Sequence, residues 1–77
     1  MDVEKLARMA NQIAANFAYG ADKAKGGAAV ADHLRRFWNP SMRTALVDAH
    51  RRNVVDLSEV ATLAIEQLPE SKPTAAA

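Results

Sequence analysis

The sequence predicts an all-α fold: one small domain built as a bundle of about four short helices. Two observations carry that expectation. Apolar residues recur at intervals of three and four wherever the chain has a pattern, and no alternating strand pattern competes with them. Helix start and stop signals at Asp2, Gly20, Asn39-Pro40, Asn53, Ser58 and Pro69 cut the 77 residues into pieces of helical length.

The first helix is expected from about Val3 to Ala18. Asp2 can accept from its open N–H groups, and Leu6, Ala10, Ile13 and Phe17 share one face. Gly20 stands where a left-handed C-terminal cap belongs. Asp22 could open a second helix, but Gly26 and Gly27 would each cost it about 1 kcal/mol. The second helix is therefore placed from Ala28 to Phe37, with Val30, Leu34 and Phe37 inward and Trp38 at its edge. Pro40 disfavours helix at Asn39, and the same dipeptide starts the third helix, with Asn39 as N-cap and Pro40 at the first position.

The third helix, from about Ser41 to Arg51, is expected to bury Met42, Ala45, Leu46 and Ala49 and to exit through a left-handed Asn53. Asp56-Leu57-Ser58-Glu59 resembles a capping box and opens a fourth helix, burying Val60, Leu63, Ala64 and either Ile65 or Leu68. Residues 1–68 form the expected domain, and 69–77 form an expected disordered tail without apolar pattern.

Composition narrows the classes of function. A lone core this small rarely supplies more than a few kcal/mol, and with no Cys neither disulfides nor thiolate metal sites can help it. Oligomerisation or a larger host protein is the natural remaining stabiliser. Met1-Asp2-Val3-Glu4 does not read as a secretory leader, and no apolar run approaches a membrane span. A net charge of +1 does not favour bulk nucleic-acid affinity. Its distribution is uneven, with Arg35, Arg36, Arg43, Arg51 and Arg52 in the middle and Asp56, Glu59, Glu66 and Glu70 at the end.

No catalytic constellation emerges. His33 and His50 fall on different helices, Asp32 and Asp48 neighbour them only in sequence, and both imidazoles read as semi-exposed helix residues. Ser41, Thr44, Ser58 and Thr62 have no base at a useful spacing. Two helices joined by a short turn keep an alternative open, a small helix-turn-helix-like nucleic-acid-binding regulator. The remaining concentration of chemistry is Leu34 to Arg43, which holds the only Trp and three Arg residues. Trp and Arg are the types most enriched at interface hot spots, and Arg suits bidentate contact with carboxylates. Pairing of these arginines with the acidic fourth helix is the structural counter-reading.

Met9-Ala10-Asn11-Gln12-Ile13-Ala14 with Phe17, followed by His33-Leu34, Phe37-Trp38, Pro40 and Met42-Arg43, resembles the delta subunit of NAD-dependent formate dehydrogenase over about residues 5 to 68. The resemblance implies a non-catalytic accessory subunit of a cytoplasmic enzyme, without a cofactor of its own. Its expected partner is the catalytic alpha subunit, in a complex that carries molybdenum or tungsten on bis-pyranopterin guanine dinucleotide, iron–sulfur clusters and FMN. Nucleic acid and membrane are not expected partners. The expected partner-binding residues are Asn11, Gln12, Arg35, Arg36, Trp38, Asn39 and Arg43. Trp38 is the expected anchor, while Leu34, Phe37 and Met42 are expected to hold the turn.

Overall fold

In the computed structural model, residues 2–17 and 22–68 are described. They form four helices, α1 (Val3–Asn16), α2 (Lys23–Phe37), α3 (Pro40–Arg51) and α4 (Glu59–Gln67), with no strand among the described residues. The expected cap at Gly20 and the expected tail from Pro69 onward lie outside the described residues.

Each described helix begins where a short polar side chain replaces a missing backbone partner. The Asp2 carboxylate accepts from the N–H groups of Glu4 and Lys5 at 3.1 and 3.2 Å. Asn39 Oδ1 accepts from Met42 N–H at 2.9 Å, and Ser58 Oγ from Ala61 N–H at 3.2 Å. The α3 exit is a Schellman motif: Val54 N–H reaches Ala49 O and Asn53 N–H reaches His50 O, with Asn53 left-handed at φ 60°. Helix α1 stops at Asn16 rather than Ala18, and it buries Leu6, Ala7, Ala10 and Ala14 while Ile13 and Phe17 are half-buried.

Helix α2 starts five residues earlier than the sequence reading allowed. The Asp22 side chain caps Lys25 N–H at 3.0 Å, and Gly26 and Gly27 sit buried inside the helix. Their propensity cost is offset by proximity. A Cβ on Gly27 would lie 2.7 Å from Leu63 Cβ, and one on Gly26 would lie 2.7 Å from the Phe17 carbonyl oxygen. The two glycines thus let α2 lie against α4 and the end of α1 more closely than any side chain permits.

Lys23 meets Glu59 at 2.7 Å and, one turn on in each helix, Gly27 faces Leu63, so α2 and α4 run parallel. Helix α3 is the return between them. The α4 stripe is Ala61, Ala64, Ile65 and Leu68; Val60 and Leu63, expected inside, are half-buried. Leu34, Leu46, Ile65 and Val30 are the largest fully buried side chains. Ala49 is buried on α3 as expected, while Met42 and Ala45 are half-buried.

The adjacent aromatics exchange the places the helical stripe assigned them. Trp38 is 7% exposed and belongs to the core, whereas Phe37 is 69% exposed. Trp38 is the C-cap of α2, with extended backbone (φ −96°, ψ 142°), so it is not on the helical wheel at all. The extended path fits the turn into Pro40, which also holds Asn39 extended. The chain leaves the helix one residue before its Trp and swings the indole under the corner.

Candidate interaction surface

The corner between α2 and α3 gathers five of the seven residues expected to bind a partner, and the structure gives most of them internal work. Arg43 donates from Nη1 to the Arg35 carbonyl at 2.9 Å, and Arg35 donates from Nη2 to the Gln67 carbonyl at 3.0 Å. Both acceptors lie in final helical turns, of α2 and α4, where carbonyls lack intrahelical partners. The two guanidiniums therefore tie the helix ends together and place positive charge where the dipoles favour it. Asn39 is committed to capping α3, and Trp38 lies beneath the corner rather than on it. The expectation of Trp38 as a free anchor is corrected: its surface is spent on the core.

Asn11 is likewise internal. Its Nδ2 donates to the Asp56 carbonyl at 3.1 Å and its Oδ1 accepts from Ser58 N–H at 2.7 Å, so one amide clamps the approach to α4 onto α1. Gln12, its neighbour, is exposed. The Arg36 side chain is 68% exposed and lies 3.5 Å from Asp32 on its own helix. Among the described residues, Arg35 reaches the end of the acidic fourth helix through the Gln67 carbonyl, and other bases meet its carboxylates. Lys23 meets Glu59, His50 Nε2 lies 3.6 Å from Glu66, and Arg36 and Arg52 each pair with an Asp one turn back.

What the sequence reading missed is an aromatic ladder along the outer seam of α1 and α2. The Phe17 and His33 ring centroids are 5.8 Å apart, and those of His33 and Phe37 are 4.7 Å apart, both pairs tilted. Tilted rings at these spacings are attractive arrangements. The ladder runs from half-buried Phe17 through half-buried His33 to exposed Phe37, with Arg36 beside its outer end. The signal was available as His33 and Phe37 at i and i+4, a spacing that stacks side chains on one helix face.

Chemistry of other kinds has little footing. Among the described residues, no group of three His, Asp or Glu is placed to hold a metal ion, and no helix is long and apolar enough to cross a membrane. His33 packs between phenyl rings and His50 faces Glu66, so the two imidazoles occupy separate surroundings. A groove of about 390 Å³ between α1 and the loop before α4 is lined by Glu4, Ala7, Arg8, Asn53, Val54, Val55 and Asp56, and it is shallow and open.

Fold and surface together define a small all-helical module with arginine-capped corners and an exposed aromatic ridge. The chain belongs to the family of NADH-dependent formate dehydrogenase delta subunits, FdsD, whose pattern matches residues 5–65. That family makes the chain a subunit of a formate dehydrogenase, in agreement with the resemblance carried by its MANQIA and HLRRFWNPSMR segments. No curated protein and no solved structure matches it significantly.

Proposed function

We propose that the chain is a non-catalytic accessory subunit that binds the catalytic alpha subunit of a cytoplasmic, NAD-linked formate dehydrogenase and supports its assembly, cofactor insertion or stability. The observation that carries this reading is the family match over residues 5–65. The residues are consistent with it, in that the polar side chains around the α2–α3 corner rigidify the chain itself. The molybdenum or tungsten cofactor, the iron–sulfur clusters and the FMN then belong to the larger subunits, and this chain contributes a folded contact surface. Of the seven expected contact residues, Arg36, Gln12, Arg35 and Asn39 are exposed, Asn11 and Arg43 are half-buried, and Trp38 is buried.

Co-expression of the affinity-tagged chain with the rest of the complex tests the reading. The alpha subunit should co-purify with it, and enzyme made without the chain should show lower metal occupancy or faster thermal inactivation. Absence of the alpha subunit from the eluate, with unchanged occupancy and inactivation in its absence, would overturn the proposal. A salt-dependent DNA gel shift by the purified chain would instead favour the helix-turn-helix alternative.

A further inference from the structure

We draw no further inference here: the strongest candidate, the exposed Phe37 surface patch at the outer end of α2, is an unpartnered apolar face, and nothing in the structure shows what covers it.

Discussion

The two sides of helix α2 invert the usual relation between size and depth. Toward α4 it presents Gly26, Gly27, Val30, Ala31 and Leu34, all buried and mostly small. Toward solvent it carries His33 and Phe37, and its last residue is the most exposed large apolar side chain described. The inner face is built for backbone proximity, the outer for a projecting aromatic surface. Hydrophobicity alone does not separate these faces; side-chain volume does. A helix that must lie tightly against a parallel neighbour has no room there for a phenyl ring.

The strongest way to break this contrast is at the junction of the two faces. Trp38→Ala should cost about 3–5 kcal/mol, the range for truncating a buried aromatic. A domain of this size holds only a few kcal/mol in reserve, so the free variant should lose its cooperative thermal transition in circular dichroism. A melting curve superimposable on wild type would place Trp38 outside the core after all. Loss of partner binding by this variant would therefore report unfolding and say nothing about contact.

The glycine seam comes next. At an open helical site Gly→Ala gains about 1 kcal/mol, whereas overpacking a tight core costs about 1–3 kcal/mol. With Leu63 Cβ only 2.7 Å from the new methyl carbon, Gly27→Ala should be destabilising by up to about 2 kcal/mol net. On the exposed side of the same turn, Ala28→Gly should lose about 1 kcal/mol through propensity alone. Chemical denaturation should find both variants weaker although the substitutions run in opposite directions. A stabilised Gly27→Ala would show that α2 and α4 can separate at little cost.

Those same places mark what was legible in the sequence. Signals written within four residues were legible: Asp2, Asn39-Pro40 and Ser58 start helices, and Asn53 ends one, because each acts on its own backbone. The start of α2 was not, because the local penalty of two glycines is outweighed by a contact with Leu63, which lies on another helix. Periodicity failed at Phe37 and Trp38 because the helix ends between them, and a wheel cannot describe a residue on extended backbone. Asn11 was expected to face a partner protein, yet its amide bonds backbone groups 45 and 47 residues away within the same chain.

Asn11 and Gln12 sharpen the distinction between holding the fold and facing outward. Asn11→Ala removes two backbone contacts and should cost about 1–2 kcal/mol, while Gln12→Ala should stay within about 0.5 kcal/mol. Urea midpoints measured side by side would separate them. Equal midpoints would mean that the Asn11 clamp contributes nothing that water does not replace.

The smallest stability effect should come from the largest exposed ring. Phe37→Ser removes a side chain that is 69% exposed and absent from the core, so the free chain should change by no more than about 0.5 kcal/mol. Among the described residues its ring partner is His33, and a surface pair of that kind contributes little on its own. Melting temperature is the direct measure, and a drop comparable to that of Gly27→Ala would make Phe37 a structural residue. A near-zero shift beside the collapse expected for Trp38→Ala would give two adjacent aromatics opposite energetic roles.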